Sequence, residues 1–259
     1  MPPLYFLAYD SHIVLLQFQN RQFVIEVLPR VRKLVLLFAF AALCSTLHAA
    51  AQEVRAPIIV SIAGGFVRSD DARHGEVLLA QRLRAEYGDR AHVEVFENRD
   101  WKKAHEAILD WVGSRDTSGE NVPIILFGHS WGASAVITLA RRLEADGIPV
   151  LLTIQVDSIS KHGANDAVVP ANVSEAINFY QPSGVLHGRR QIAAADASRT
   201  RILGNLRFKY EEEPTQCRSF PWLNRVLTPG HISIDCDPKV WSQIEELIRS
   251  HLSAAPSGS

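Results

Sequence analysis

Short apolar runs that alternate with segments of helical periodicity are the feature that most restricts the fold of this chain. The runs at residues 57–62, 123–127 and 150–156 are dominated by apolar side chains, and each is too short for a buried helix. A strand is apolar on both faces when helices cover both faces of its sheet, as in parallel sheets. The pattern therefore predicts an α/β fold, a mostly parallel sheet with helices on both faces.

The segments between these runs complete the alternation. In parallel sheets ligands bind at the carboxyl ends of the strands, so residues directly after the strands are the candidates for a functional site. Further strands are expected at residues 92–96, 176–180 and 200–208, and helices at 75–87, 101–112, 132–145 and from Asp237 onward.

The first 51 residues differ from the rest of the chain. A basic stretch at residues 30–33 precedes an apolar run at 34–47, and small residues follow up to Ala51. This order is typical of a secretory signal, so we expect removal near Ala51 and export to the periplasm or the medium. The alternative is an uncleaved anchor over residues 34–51, which would then be the protein's membrane contact.

The chain divides into three predicted parts. Residues 1–51 form an N-terminal extension plus the signal, and because the extension is long for a signal, we expect translation to begin near Val31 or Val35. Residues 52–252 are long enough for one sizeable α/β domain, and residues 253–259 form a small, polar, disordered tail. The formal net charge of −1 and the scattered basic residues argue against a nucleic-acid-binding surface.

Two cysteines, Cys217 and Cys236, follow the signal segment. A cysteine pair in an exported chain is a candidate for a disulfide bond, because the compartments outside the cytosol are oxidising.

The sequence Gly128-His129-Ser130-Trp131-Gly132 lies between a predicted strand and a predicted helix. An attacking serine needs a hydroxyl group that projects away from the backbone. A tight strand-to-helix turn exposes the hydroxyl in this way, and it requires small residues two positions before and two positions after the serine. The turn also places the serine at a helix N-terminus, which favours developing negative charge. We therefore predict that Ser130 is a nucleophile.

The stretch Gly-His-Ser-Trp-Gly-Ala resembles the nucleophile elbow of lipase-like α/β-hydrolases, and the similarity in element order spans roughly residues 57–252. The resemblance implies the α/β-hydrolase fold and a catalytic triad in the chain order serine, acid, histidine. The triad's base is then expected late in the chain. His231, in a Pro-Gly turn before the last helix, is the expected base, and His187 is the alternative.

The acid has three candidates. Asp157 directly follows the strand at residues 150–156, where pancreatic-type lipases carry their acid. Asp196 and Asp166 are the alternatives, since most other members of the family carry the acid one strand later. A strand end holds a carboxylate more rigidly than a loop does, which favours Asp157.

The resemblance also implies two backbone N–H groups that form an oxyanion hole. One belongs to Trp131, which follows the nucleophile. The other is expected in the turn Ala63-Gly64-Gly65-Phe66, which resembles the His-Gly-Phe turn of lipases except that Gly64 replaces the histidine. The role passes to Phe66, with Gly65 as the alternative.

These residues predict a serine esterase, lipase-like, that cleaves a carboxylic ester or related acyl bond of a small molecule or lipid through an acyl-enzyme. No cofactor and no metal ion are expected to take part. A non-catalytic, membrane-anchored binding protein on a hydrolase scaffold and an acyltransferase are the alternatives. The sequence leaves the acyl chain, the leaving group and the oligomeric state open.

Overall fold

The structure, a computed structural model of the full chain, describes residues 13–18, 21–26, 56–113, 122–160 and 164–254. The chain forms two compact units, Met1–Val54 and Arg55–Ser257. In the first, strands β1 (Ile13–Phe18) and β2 (Arg21–Glu26) pair antiparallel. The predicted signal at residues 34–51 and the end of the predicted tail, residues 255–259, lie outside the described residues.

A six-stranded, fully parallel sheet forms the centre of the second unit. The strands are β3 (Ile58–Ala63), β4 (His92–Glu97), β5 (Ile124–His129), β6 (Val150–Val156), β8 (Val173–Tyr180) and β10 (Arg201–Arg207). Their order from edge to edge of the sheet is β10-β8-β6-β5-β3-β4. Two further strands, β7 (Val168–Val169) and β9 (Ala193–Ala194), form a separate short pair that the sequence did not predict.

Helices cover both faces of this sheet. Alternate residues of one strand belong to different apolar clusters: Ile59 packs in the cluster that includes Trp241, and Val60 packs in the cluster that includes Ile108. The helices are α1 (Gly75–Tyr87), α2 (Trp101–Gly113), α3 (Trp131–Ala145), α4 (Trp222–Leu227), α5 (Pro229–Cys236) and α6 (Pro238–Ala254). Side chains of α1 and α6 belong to the first cluster, and those of α2 and α3 to the second. The predicted α/β architecture is confirmed.

The predicted boundaries differ from the observed ones mainly near the site. The strand expected at residues 123–127 continues through Gly128 and His129 because both are buried in the sheet. The Pro-Gly segment expected as a turn is the short helix α5, with Pro229 in its first turn, where a missing N–H costs nothing. The last helix continues to Ala254, inside the predicted tail.

Among the described residues, no helix combines the length and the apolar character that crossing a membrane requires.

A substitution in the close contact between α3 and the sheet tests this packing. A Cβ atom on Gly132 would lie 2.1 Å from the carbonyl oxygen of Ile62, which is backbone and cannot rotate away. We expect Gly132→Ala to lower the free energy of unfolding by about 1–3 kcal/mol, as overpacking does in other cores. Urea denaturation measures this. Gly113→Ala is the control, because no atom of the described residues lies within 4 Å of its Cβ position, and equal stability of the two variants would contradict the prediction.

Candidate active site

Ser130 occupies a strained turn between β5 and α3. Its φ and ψ are 56° and −123°, a backbone conformation that residues other than glycine rarely adopt. The turn lies close to the neighbouring strand β3, because Cβ atoms on Gly128 or Gly132 would fall within 2.6 Å of the Ile62 carbonyl oxygen. The two glycines therefore allow the tight turn that sets the serine at the N-terminus of α3.

The structure brings Ser130, His231 and Asp157 together in one chain of hydrogen-bond contacts. His231 Nε2 lies 2.9 Å from Ser130 Oγ, and His231 Nδ1 lies 2.7 Å from Asp157 Oδ2. The three residues come from the ends of β5 and β6 and from α5, and all three are buried. Both ring nitrogens therefore face the partners that the sequence analysis expected.

Asp157 is held by three further donors. Its Oδ1 accepts the backbone N–H groups of Gln181 and Gly188 at 3.2 and 2.7 Å, and its Oδ2 accepts the side-chain amide of Gln181 at 2.9 Å. A Cβ atom on Gly188 would lie 2.3 Å from the Asp157 backbone, so this close approach requires glycine. The carboxylate is fully buried, and its orientation toward His231 is fixed from the opposite side.

The alternative residues from the sequence analysis make other contacts. Asp166 accepts hydrogen bonds from Ser158 and Arg189, at 2.5 and 2.6 Å. Asp196 accepts bonds from Ser198 in an exposed turn. The ring of His187 contacts the carbonyl oxygen of Gly188 at 3.4 Å. Of the three candidate acids, Asp157 is the one in contact with His231.

The turn after β3, residues 63–66 and hereafter the glycine turn, lies against the first residue of α3. Gly65 packs on the Trp131 indole, since a Cβ atom there would lie 2.4 Å from the ring. The rings of Phe66 and Trp131 have centroids 5.4 Å apart, and the Phe66 side chain is 95% exposed. Phe66 has a φ of 62°, so the backbone bends sharply at the residue predicted to supply an oxyanion N–H.

Both peptide groups of Gly64 in this turn are held by buried side chains. The N–H of Gly64 donates to Glu76 Oε1 at 3.0 Å, and its carbonyl oxygen accepts the side-chain amide of Asn98 at 2.7 Å. Glu76 is fully buried at the start of α1, and its second oxygen has no hydrogen-bond partner within the described part of the chain.

Glu76 belongs to a set of ionisable residues next to the Ser–His–Asp chain, hereafter the buried polar cluster: His74, Glu76, His129 and Asp235. Asp235 accepts His74 Nδ1 at 2.7 Å and the backbone N–H of Gly75 at 3.0 Å. His129 Nδ1 lies 3.7 Å from Asp235 Oδ2, and the His129 ring stacks on the His231 ring with centroids 4.5 Å apart.

The surroundings of the cluster shift its pKa values in different directions. Burial and then the charge of Asp235 raise the pKa of Glu76 to about 8, while burial lowers the pKa of His129 to about 4. Burial also lowers the pKa of His74, but the hydrogen bond and charge of Asp235 outweigh it and raise that pKa to about 9. Burial opposes ionisation of Asp235, yet His129 and His74 hold its pKa well below the usual range. Near neutral pH the cluster pairs an ionised Asp235 with a protonated His74, beside a neutral Glu76.

Among the described residues, this cluster contains the one group of side chains that could together bind a metal ion. Donor atoms of His74, Glu76 and Asp235 lie within 4.8 Å of one another. The direct hydrogen bonds to Asp235 from His74 and from the Gly75 amide already use both of its oxygens. These contacts account for the arrangement without an ion.

A cavity of about 310 Å³ opens above Ser130 and His231. Its walls come from the glycine turn, the start of α3, the buried polar cluster and α4. The cavity lining includes two strongly exposed apolar side chains, Phe66 at 95% and Leu227 at 62%, and α4 also exposes Trp222 by 67% and Val226 by 63%.

The cysteine pair forms a disulfide bond between Cys217 and Cys236, as predicted. It joins the 3₁₀ turn Thr215–Ser219 to the end of α5, and Phe220 and Ile232 pack around it in a small apolar cluster. The bond therefore anchors the helix that carries His231.

The sequence analysis missed the buried polar cluster. One signal was available for Glu76, which shares a helical stripe with the buried residues Ala80 and Leu83 of α1. Asp235 had no such signal, since its segment was expected to be a turn. His129 lies inside the serine motif, but the motif specifies only the serine and the glycines on either side of it, so it gave no information about position 129.

Neither the family models nor the curated proteins contain a match to this chain. Solved structures of similar shape include the type II thioesterase BorB from the borrelidin biosynthetic cluster, with 14% identity, a TM-score of 0.41, and coverage of 76% of this chain and 93% of that one. Est1E from Butyrivibrio proteoclasticus with bound ferulic acid has 9% identity, a TM-score of 0.42 and coverage of 79% and 92%. Human thioesterase 2 has 12% identity, a TM-score of 0.41 and coverage of 79% and 99%. Likenesses of this size say nothing about the reaction or the substrate.

The α/β-hydrolase fold is visible in the molecule itself. A parallel sheet with helices on both faces carries a serine on a strained strand-to-helix turn at the carboxyl end of a central strand.

The raised pKa of Glu76 gives a pH dependence of stability. The unfolded chain releases this proton near its ordinary pKa of 4.5, whereas the folded protein keeps it up to about 8, so stability falls as the pH rises between these values. Glu76→Gln cannot titrate and removes that loss. We expect the melting temperature of Glu76→Gln, relative to the unsubstituted protein, to increase from pH 5 to pH 8 in thermal scans. A difference that stays constant over this range would contradict the assigned protonation of Glu76.

Loss of the disulfide tests its contribution to folding. The bonded cysteines are 19 positions apart, and closing a loop of that length stabilises a fold by about 3 kcal/mol in the chain-entropy model. We expect the double variant Cys217→Ala/Cys236→Ala to lose about this free energy of unfolding in urea denaturation. Reductant should destabilise the unsubstituted protein and leave the double variant unchanged. Equal stability of both proteins under oxidising conditions would show that the bond does not constrain the fold.

Proposed function

We propose that this protein is a serine hydrolase that cleaves a carboxylic ester or related acyl bond. The observation that carries the proposal is the continuous contact from Ser130 through His231 to Asp157, with distances of 2.9 and 2.7 Å on the two sides of one imidazole. Nucleophile, base and orienting acid are the parts of a triad, and they are recognised by such geometry rather than by sequence position.

The chemistry follows from the two contacts of His231. In the tautomer that they require, Nδ1–H donates to Asp157 and Nε2 accepts the Ser130 proton. Ser130 Oγ attacks the acyl carbon while His231 takes its proton, and the resulting imidazolium is stabilised by the Asp157 carboxylate. The leaving group departs with that proton. Water then attacks the acyl-enzyme with His231 as base, which releases the acid and restores the serine.

The oxyanion of each tetrahedral intermediate is assigned to the N–H groups of Phe66 and Trp131. Trp131 is the first residue of α3, so its N–H belongs to the positive end of the helix. Phe66 also lines the cavity, with its ring centroid 5.4 Å from that of Trp131. In enzymes with such a hole, loss of one donor costs about 3 kcal/mol of transition-state stabilisation.

The cavity supports a small-molecule or lipid acyl ester as the substrate. Its volume of about 310 Å³ is at the lower end for ligand pockets and fits an acyl group rather than a whole lipid. The exposed apolar side chains of α4 at its rim would contact the remainder of an apolar substrate. We also propose that the protein is exported, because the basic-apolar-small order of residues 30–51 is that of a signal, and disulfides such as Cys217–Cys236 persist outside the cytosol.

Labelling with a fluorophosphonate, followed by intact mass and peptide mapping, tests the proposal. We expect a single adduct on Ser130 that is absent from Ser130→Ala. Asp157→Asn should reduce turnover of p-nitrophenyl butyrate by about 10⁴-fold, because the histidine then adopts the wrong tautomer. Asp196→Asn is the matched control and should leave turnover unchanged, since Asp196 contacts Ser198 on the surface. No adduct on the folded, disulfide-bonded protein would overturn the proposal and favour a non-catalytic binding protein.

A further inference from the structure

Two carboxyl groups of the buried polar cluster, those of Glu76 and Asp235, contact two separate parts of the site. Glu76 Oε1 accepts the N–H of Gly64 in the glycine turn, and Asp235 belongs to α5, four residues after His231. Both carboxyl groups meet at the N-terminus of α1, where Asp235 also accepts the Gly75 N–H. The start of α1 is therefore bonded to the two elements that the proposed mechanism needs in fixed positions.

The hydrogen bond from Gly64 to Glu76 helps to fix the backbone of the glycine turn. Gly64 lies two residues before Phe66, and with Asn98 on its carbonyl oxygen, both peptide groups of Gly64 are oriented by buried side chains. Phe66 itself is exposed and has a positive φ, so its side chain cannot hold this conformation by packing in the core. The orientation of the Phe66 N–H depends instead on the anchored peptide groups before it.

The contacts of Asp235 act on α5 in the same way. An eight-residue helix is too short to be stable by itself, so its position is set by its contacts. Asp235 is fully buried and binds His74 at 2.7 Å, which ties α5 to α1 one helical turn away from His231. The stacking of His129 on His231 fills the space between this contact and the imidazole.

A buried carboxyl group is unfavourable unless its contacts compensate for the lost hydration. An apolar side chain at position 76 would fill the same space at the start of α1 without that cost, but it could not accept the Gly64 N–H. The buried carboxyl is therefore explained by the bond it makes to the turn.

We propose that Glu76 and Asp235 are positioning residues of the active site, Glu76 for the oxyanion-binding turn and Asp235 for the helix that carries the base. The assignment rests on the proposed serine hydrolase function. It concerns carboxyl groups that act through Gly64, Gly75 and His74, and it predicts that they affect the rate of the chemical step more than the binding of the substrate.

Three variants test the role of Glu76. Glu76→Gln keeps an oxygen for the Gly64 N–H and imitates the neutral acid, whereas Glu76→Leu keeps the approximate volume and removes the acceptor. Glu245→Gln is the matched control, because Glu245 is another buried carboxyl whose partners are Arg82 and Arg249, away from the turn.

We expect Glu76→Leu to lower kcat for p-nitrophenyl butyrate by about tenfold or more. KM should change by less than about twofold in either direction, because oxyanion donors act in the transition state and not in the bound substrate. The maximal rate of fluorophosphonate labelling should fall in parallel. Glu76→Gln should restore both rates to within about threefold of the unsubstituted protein, and Glu245→Gln should not change them. Equal rates in Glu76→Leu and the unsubstituted protein would overturn the inference for Glu76.

Amide hydrogen exchange gives a readout that does not depend on activity. In Glu76→Leu we expect faster exchange at residues 63–66, and in Asp235→Asn faster exchange at residues 229–236, with little change in the central strands. Uniformly faster exchange throughout the domain would indicate a merely structural role and overturn the inference. If the unsubstituted protein is not labelled at all, the proposed function fails, and local exchange at these two segments still decides whether the cluster holds them.

Metal analysis of the purified protein completes the test. We expect no stoichiometric metal ion and no change in melting temperature with EDTA. A stoichiometric ion that is lost in Glu76→Gln would overturn the inference, because Glu76 would then be a ligand rather than a neutral acceptor for the turn.

Discussion

The sharp reversal of the backbone at the ends of three neighbouring strands is the constraint on which the rest of the site depends. Among the described residues, Phe66, Ser130 and Asp157 are the non-glycine residues with positive φ, at 62°, 56° and 44°. They follow β3, β5 and β6, which are adjacent in the sheet. Such conformations persist only where the surroundings enforce them. At the carboxyl edge of the parallel sheet, Phe66 and Ser130 line one cavity, and Asp157 is buried behind His231.

The polar groups behind these turns explain how the strain is held. Asp157 has donors on both oxygens, and Gly64 has a buried partner on each of its peptide groups. Each of these contacts is buried, so breaking one would leave a polar group without water or partner, which is costly. The cost of breaking these hydrogen bonds therefore opposes any rearrangement of the glycine turn or of Asp157.

The sequence was sufficient to predict the parallel sheet, the serine turn and the approach of Asp157 and His231. The sheet and the turn follow from short-range signals, apolar runs and glycine spacing, whereas Asp157 and His231 were selected by the resemblance to lipase-like α/β-hydrolases and their chain order of serine, acid and histidine. The buried polar cluster was not predictable in this way. Glu76 and Asp235 are 159 positions apart, yet both lie at the start of α1 because α5 packs there. That contact depends on tertiary packing, which no local pattern of residues encodes.

The helix α5 shows why stability and the position of the base cannot be separated in this protein. Its eight residues supply His231 to the serine, Asp235 to α1 and Cys236 to the disulfide bond, so three separate contacts hold it. Because so short a helix has little stability of its own, these contacts together determine whether it forms and where it lies. We expect that weakening any one of them shifts the imidazole relative to Ser130. Since a displacement of about 1 Å can cost a reaction about 100-fold in rate, the proposed hydrolase mechanism makes the contacts of Asp235 and Cys236 as important for the rate as the contact of His231 with the serine.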